Sequence, residues 1–120
     1  MPEAILVVDD QPELRLLIRL TLQTVGKVAV AGSSQELYER IAAERPRAIV
    51  LDVSLGHENG LDICRALKAD PATRDIRILL LSAFVQEADV AAGKAAGADD
   101  YMAKPFAPRD LQNAVAALLG

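Results

Sequence analysis

Short apolar runs alternate along the chain with segments in which apolar residues recur every three or four positions. The runs are four to seven residues long and rich in Val, Ile and Leu, which is typical of strands covered on both faces. Between them, spacing such as Leu14, Leu17 and Ile18 predicts amphipathic helices. Five strands, each followed by a helix, define an α/β fold with one parallel sheet covered on both faces. The predicted strands span 4–9, 27–31, 48–53, 76–82 and 100–103.

The predicted fourth helix, over 86–96, differs from the others because its apolar residues are small. Small side chains bury little area, and the glycine within it costs a helix about 1 kcal/mol relative to alanine. We therefore expect a weakly anchored element that moves easily. The residues assigned to its buried face are Ala88, Ala91, Ala92, Ala95 and Ala96, with Gly93 inside the helix.

Composition narrows the class of protein. With 120 residues, of which 52% are hydrophobic, we expect a single domain over 1–120 and no output domain. The net charge of −4 and the lack of a clustered basic face argue against nucleic-acid binding. No apolar stretch reaches the length of a membrane span. Cys64 is the single cysteine and Met1–Glu3 carries no basic leader region, so we expect a cytoplasmic protein.

Polar residues stand where the predicted strands end. Asp9 and Asp10 follow the first run, Asp52 closes the third, Ser82 closes the fourth and Lys104 follows the fifth. The carboxyl ends of parallel strands share one edge of a sheet, where open α/β sheets place their ligand sites. Three carboxylates, one hydroxyl and one ammonium group would meet there. That set suits a divalent cation together with a phosphoryl group.

Each of these residues also has a purely structural interpretation. The adjacent acids could simply begin the first helix near its positive end, and Asp52 could merely end a strand. Together they favour phosphoryl transfer. Asp9 and Asp10 resist joint ionisation unless a cation lies between them, and Mg²⁺ or Mn²⁺ suits such oxygen ligands. Asp52 then supplies a nucleophile, while Ser82 and Lys104 contact the phosphoryl oxygens.

The motifs, in this order and at these spacings, resemble the receiver domain of two-component response regulators. The resemblance covers the whole chain: Ser82 lies 30 residues after Asp52, and Lys104 lies 22 residues after Ser82. It implies a flavodoxin-like (βα)5 doubly wound sheet with strand order 2-1-3-4-5. The matching segments are Val7-Val8-Asp9-Asp10, Asp52, Asn59-Gly60-Leu61, Ser82-Ala83, Gly97-Ala98-Asp99-Asp100-Tyr101 and Lys104-Pro105-Phe106.

The resemblance also implies a role for individual residues. Asp52 is similar to the phosphoacceptor. Asp9 and Asp10, with Asp52 and the backbone carbonyl of Ser54, are similar to the residues that hold the metal ion. The residues that would bind the phosphoryl group or report its presence are Ser82, Ala83, Lys104 and Tyr101, and the peptide bond between Lys104 and Pro105 is expected to be cis.

A receiver of this kind implies a signalling switch and not an enzyme. The expected partner is a sensor histidine kinase or a histidine phosphotransfer protein, which donates a phosphoryl group to Asp52 with Mg²⁺ or Mn²⁺ as cofactor. The surface of the fourth helix, fifth strand and fifth helix would then change and serve a homodimer or a downstream effector. Neither nucleic acid nor membrane is expected to bind this chain itself.

Two departures from the family pattern and two alternatives remain open. Gly56 stands where the family commonly has proline, so we expect a looser loop around Ser54. Phe84, a bulky apolar residue beside the site, is expected to hinder water attack on the phosphate. One alternative is a phosphate-independent interaction module of the same fold. The other is a magnesium-dependent phosphohydrolase with an aspartyl nucleophile, although such enzymes usually have aspartate where Ser54 stands.

Overall fold

The chain folds into seven strands and five helices in a computed structural model that describes residues 3–120. Met1 and Pro2 lie outside the described residues. No helix within 3–120 has the length and apolar character that crossing a bilayer requires. The elements are β1 Ala4–Val8, α1 Pro12–Leu22, β2 Lys27–Ala31, α2 Ser34–Ala43, β3 Ala48–Asp52, β4 Ser54–Leu55, β5 Glu58–Asn59, α3 Gly60–Ala69, β6 Arg77–Ser82, α4 Glu87–Ala95, β7 Asp100–Ala103 and α5 Pro108–Leu119.

Five of the strands form one parallel sheet in the order β2-β1-β3-β6-β7. The two-residue strands β4 and β5 pair only with each other, as an antiparallel hairpin between β3 and α3. With that hairpin set aside, the sheet has the predicted flavodoxin-like order 2-1-3-4-5, and the predicted fold class is confirmed. Because every strand of the main sheet runs the same way, all five carboxyl ends lie along one edge.

Helices cover both faces of the sheet and bury two apolar layers. Side chains alternate along the strands, so Ile5 and Val7 point to one layer while Leu6 and Val8 point to the other. The layer around Ile5 includes side chains of α1 and α5, and the layer around Leu6 includes side chains of α2 and α3. This packing fixes the strand ends on which the polar residues lie.

Helix α4 presents different residues to the core from those that the sequence predicted. Ala88, Ala91 and Ala95 are exposed, whereas Gly93 and Ala96 are buried. An alanine-rich helix has little amphipathic character, so its sequence does not reveal which stripe faces inward. Gly93 thus faces the core together with Ala96, which was predicted to be buried, and Ala92 is half-buried. The prediction for Ala88, Ala91 and Ala95 was therefore wrong.

An ion-pair network fixes the start of β7, the strand that Lys104 follows. Lys68 Nζ lies 2.9 Å from Asp99 Oδ2 and also donates to the carbonyl of Ile76 at 2.7 Å. The same Asp99 oxygen accepts the backbone N–H of Ile78 at 2.8 Å. Burial raises the pKa of Asp99, but the bonds from Lys68 and Ile78 outweigh it, so the pKa lies below its ordinary value. The ionised carboxylate thus ties α3, β6 and β7 together.

Candidate phosphoryl and metal site

The residues predicted from the strand ends come together at the carboxyl edge of the sheet. Asp9 and Asp10 follow β1 directly, Asp52 is the last residue of β3, and Lys104 follows β7. One carboxylate oxygen from each of the three acids lies within 4.8 Å of the other two. Lys104 Nζ lies 2.9 Å from Asp52 Oδ2. Residues separated by up to 95 positions in the chain therefore form a single cluster.

Asp52 is buried and has a partner for each oxygen. Its side chain is 3% exposed; Oδ2 accepts from Lys104 Nζ at 2.9 Å, and Oδ1 accepts the backbone N–H of Ser54 at 3.1 Å. A buried carboxylate without such compensation would be costly. The ammonium group holds the carboxylate in one orientation at the carboxyl edge of the sheet. A nucleophile needs such a fixed orientation.

Asp9 is the residue of the cluster that lacks full compensation. It is 1% exposed, Oδ1 accepts the backbone N–H of Gln11 at 2.8 Å, and Oδ2 has no hydrogen-bond partner among residues 3–120. Burial raises the pKa of Asp9 to about 6; the Gln11 N–H opposes this, and the neighbouring Asp52 adds to it. An unpartnered buried oxygen beside two more carboxylates fits a hard divalent cation. The group of three acids could hold a metal ion.

Asp10 is exposed and lies beside the turn of the β4–β5 hairpin. Gly56, at that turn, has φ of +61°, and a β-carbon added to it would lie 3.8 Å from Asp10 Oδ2. Glycine with positive φ at the first central position of a two-residue turn is typical of type II′ hairpins. The segment around Ser54 is therefore a short paired hairpin, and a looser turn than one with proline stays a prediction.

Ser82 lies at the end of β6 and bonds to the loop that follows it. It is 2% exposed, and its Oγ accepts the backbone N–H of Phe84 at 2.9 Å. Its carbonyl accepts the backbone N–H of Lys104 at 2.8 Å, which joins the ends of β6 and β7. The hydroxyl can still donate its proton to another acceptor. Ala83, which follows, is exposed at the rim.

Tyr101 connects the same loop to α4. Its hydroxyl donates to the carbonyl of Phe84 at 2.6 Å, and its ring packs against Gly93. A β-carbon at Gly93 would lie 2.6 Å from Tyr101 Cδ2, which is too close for any other residue without movement of the ring. Sequence reasoning treated this glycine only as a weakness of the helix. The glycine leaves room for the ring of Tyr101, and the local sequence pattern does not show this contact between two elements.

An apolar cavity of about 370 Å³ opens beside Lys104. It lies between the start of α1 and the segment that follows β7, where the Lys104–Pro105 peptide bond is cis. Leu17 on its wall is 49% exposed, which is unusual for a leucine in an amphipathic helix. The sequence analysis missed this feature, because Leu17 follows the same helical spacing as the buried Ile18. Leu16 and Leu20 on the same helix are also exposed, but they do not line the cavity.

The fold and the site define a receiver domain. The family model for the response regulator receiver domain matches residues 5–116, and the chain belongs to this family. It is similar to the response regulator MprA of Mycolicibacterium vanbaalenii, with 42% identity over 99% of this chain and 51% of MprA. It is also similar to the DNA-binding response regulator MtrA of Mycolicibacterium smegmatis, with 38% identity and the same coverage. The chain thus spans about half the length of these relatives.

A solved structure agrees with this assignment. The chain is similar to the BeF3-activated receiver domain of DrrB from Thermotoga maritima, with a TM-score of 0.89 and 32% identity over 99% of this chain and 98% of that one. The relatives are signalling proteins of two-component systems. The predicted family is confirmed.

Proposed function

We propose that this domain is a phosphoacceptor switch in which Asp52 receives a phosphoryl group from a phosphohistidine. The observation that carries the proposal is the buried carboxylate of Asp52, which is paired with the ammonium group of Lys104 and lies close to the carboxylates of Asp9 and Asp10. The BeF3 activation of the DrrB receiver domain, a protein 32% identical to this chain, supports it. The domain acts as a substrate and a signal, and not as an enzyme that turns over a separate substrate.

The proposed transfer is an in-line displacement at phosphorus. An oxygen of Asp52 forms the new O–P bond, and the P–N bond to the donor histidine breaks. The imidazole nitrogen leaves with the electron pair and later takes up a proton. Lys104 then pairs with an oxygen of the new acyl phosphate, and the Ser82 hydroxyl donates to another.

Asp9, Asp10 and Asp52, with the backbone carbonyl of Ser54, would hold Mg²⁺ or Mn²⁺. When bound, the cation offsets the charge of the acids and of the incoming phosphoryl group. The unpartnered oxygen of Asp9 supports this assignment, because a cation provides the missing partner.

The proposed signal passes from Ser82 to the surface of α4, β7 and α5. The Ser82 hydroxyl now accepts the N–H of Phe84, whose carbonyl accepts the hydroxyl of Tyr101. When Ser82 turns to a phosphoryl oxygen, it gives up the first of these bonds. The loop after β6 and the Tyr101 ring then adjust together, along with α4, which touches the ring at Gly93. A homodimer or an effector would read this surface.

The donor protein is proposed to be a histidine kinase or a histidine phosphotransfer protein. Its histidine must reach Asp52, so its surface must cover the rim beside Lys104. The apolar cavity at that rim and the exposed leucines of α1 support a helical partner with an apolar face. DNA-binding relatives such as MtrA are about twice as long, so an output domain beyond this segment is part of the proposal. A cytoplasmic location stays a prediction.

The proposed function predicts metal-dependent phosphorylation of one residue. Incubation with acetyl phosphate and Mg²⁺ is expected to add one phosphoryl mass to the wild type and none to Asp52→Asn. Glu39→Gln, on the exposed side of α2, is the matched control that removes a carboxylate elsewhere. No mass increase in the wild type would favour the phosphate-independent module, whereas steady release of phosphate from generic esters would favour the hydrolase.

The neighbouring Phe84 gives a second prediction. Its side chain is 61% exposed at the rim, where it limits the approach of water to the acyl phosphate. Phe84→Glu introduces a carboxylate that can orient water, so dephosphorylation is expected to accelerate about tenfold, a modest effect for such a group. Decay of the phosphorylated mass with time gives the rate. An unchanged rate would show that Phe84 does not limit the approach of water. Val85→Glu, which places the same carboxylate one residue further on, is the control.

A further inference from the structure

The β4–β5 hairpin is anchored to a helix that lies outside the phosphoryl site. Glu58 Oε1, on the returning strand β5, accepts the backbone N–H of Ser34 at 2.9 Å. Ser34 is the first residue of α2, so its N–H belongs to the first turn and has no acceptor within the helix. The carboxylate also lies at the positive end of the helix dipole, which favours its charged form. Hydrogen bonds from Ser34 lower the pKa of Glu58.

The other side of the hairpin touches the acid cluster at two points. The backbone N–H of Ser54 donates to Asp52 Oδ1 at 3.1 Å, and the turn at Gly56 lies beside Asp10 Oδ2. The hairpin has only two residue pairs in its ladder, so its own hydrogen bonds hold it weakly. The conformation of Ser54 therefore depends on what fixes the returning strand.

The start of α2 is a firm anchor. Ser33 Oγ accepts the backbone N–H of Glu36 at 3.2 Å, and Glu36 Oε1 accepts the N–H of Gly32 at 2.6 Å. Just before this turn, the carbonyl of Ala31 accepts the N–H of Asp9 at 3.1 Å. The anchor of the hairpin is thus connected to the same strand end that carries the acidic pair.

We propose that Glu58 is a positioning residue, which holds the hairpin against the first turn of α2 and so sets the affinity of the three acids for a divalent cation. Gly56 leaves the turn without the stiffness of a proline, and the bond from Ser34 to Glu58 supplies the constraint instead. The proposal rests on the proposed function only in taking Asp9, Asp10 and Asp52 as the cation site.

Ser34→Pro tests this directly, because it removes both the backbone N–H and the side-chain hydroxyl that Ser34 offers to Glu58. Proline is well tolerated at the first position of a helix. Ser33 has φ of −157° and ψ of 168°, an extended conformation that suits a residue before proline. The variant is therefore expected to keep its thermal stability, while its dissociation constant for Mg²⁺ rises about tenfold. Loss of a group that orients a metal ligand typically weakens metal binding by at least this factor. Calorimetric titration with MgCl₂ alone measures the constant.

Glu58→Ala removes the acceptor and completes a double-mutant cycle. It is expected to weaken Mg²⁺ binding as much as Ser34→Pro, and the double variant is expected to be no weaker than either single variant. Amide hydrogen exchange over residues 54–59 is expected to speed up in all three proteins. Glu58→Gln keeps an acceptor oxygen and should restore most of the affinity, which separates position from charge. Glu39→Ala serves as the charge control on α2.

The outcomes distinguish this proposal from the function on which it rests. A wild type that does not bind Mg²⁺ contradicts the cation site itself. A wild type that binds, with Ser34→Pro and Glu58→Ala of unchanged affinity, overturns the positioning role of Glu58 and leaves the switch intact. Additive losses in the double variant would also overturn it, because two members of one hydrogen bond cannot act independently.

Discussion

Asp9→Asn is expected to stabilise the metal-free domain and to abolish its binding of Mg²⁺. Burial raises the pKa of Asp9 from 3.8 to about 6, so ionisation of this carboxyl opposes folding. The shift corresponds to about 3 kcal/mol at neutral pH. Asparagine cannot ionise, and its amide keeps an oxygen that can accept the N–H of Gln11. The same change removes the unpartnered carboxylate oxygen that would ligate the proposed cation.

The gain in stability from Asp9→Asn is expected to depend on pH. The folded pKa of Asp9 lies above the unfolded value, so its favourable contribution is complete below about 3.8 and is lost as the pH rises through about 6. Urea unfolding without metal is therefore expected to show a large gain for Asp9→Asn at pH 8 and a much smaller gain at pH 4.5. Added Mg²⁺ should stabilise the wild type alone. A gain that does not change with pH would contradict this assignment.

Gly60→Ala is expected to destabilise the domain by at least about 2 kcal/mol, at the upper part of the range for overpacking. Gly60 begins α3, and a β-carbon there would collide with the carbonyl of Asp52 and lie 2.8 Å from Val53 Cα. These are backbone atoms at the end of β3, so no side chain can rotate away. The bond from the Gly60 N–H to the carbonyl of Val53, at 2.7 Å, shows the same close approach.

The measurement for Gly60→Ala combines stability with chemistry. Alanine normally improves a helix by about 1 kcal/mol relative to glycine, so a net loss in urea unfolding reports the collision. Displacement of Asp52 should also slow phosphorylation by acetyl phosphate in the protein that remains folded. Gly120→Ala is the control, since a β-carbon there meets its nearest neighbour at an ordinary 3.5 Å. A stable Gly60→Ala protein with normal phosphorylation would show that β3 and α3 have room to separate.

The sheet and the placement of Asp9, Asp52 and Ser82 could be predicted because they depend on local patterns. A continuous apolar run reads as a strand covered on both faces, and the polar residue that ends it must lie at the carboxyl edge. Five such runs place all their ends on one edge, whatever the details of packing. The order of the strands came from the resemblance to a family, since the pattern of a single strand does not name its neighbour.

Contacts between distant segments could not be predicted. Glu58 and Ser34 are 24 positions apart, and nothing in the sequence around either residue suggests the hydrogen bond between them. The need for glycine at position 93 is explained by its contact with the ring of Tyr101, which belongs to another element. In α4 the uniform small residues left the buried stripe undefined, so the inward side was assigned to the wrong alanines. In each case the deciding interaction is tertiary.

Chemical mapping of the phosphorylated residue tests the central claim most directly. Borohydride reduces an aspartyl phosphate to homoserine, and trypsin separates Asp52, in the peptide 48–65, from Asp9 and Asp10, in the peptide 1–15. After treatment with acetyl phosphate and Mg²⁺, we expect homoserine at position 52 alone, and none when Mg²⁺ is removed by chelation. Homoserine at position 9 or 10, or an unmodified 48–65 peptide from phosphorylated protein, would contradict the account.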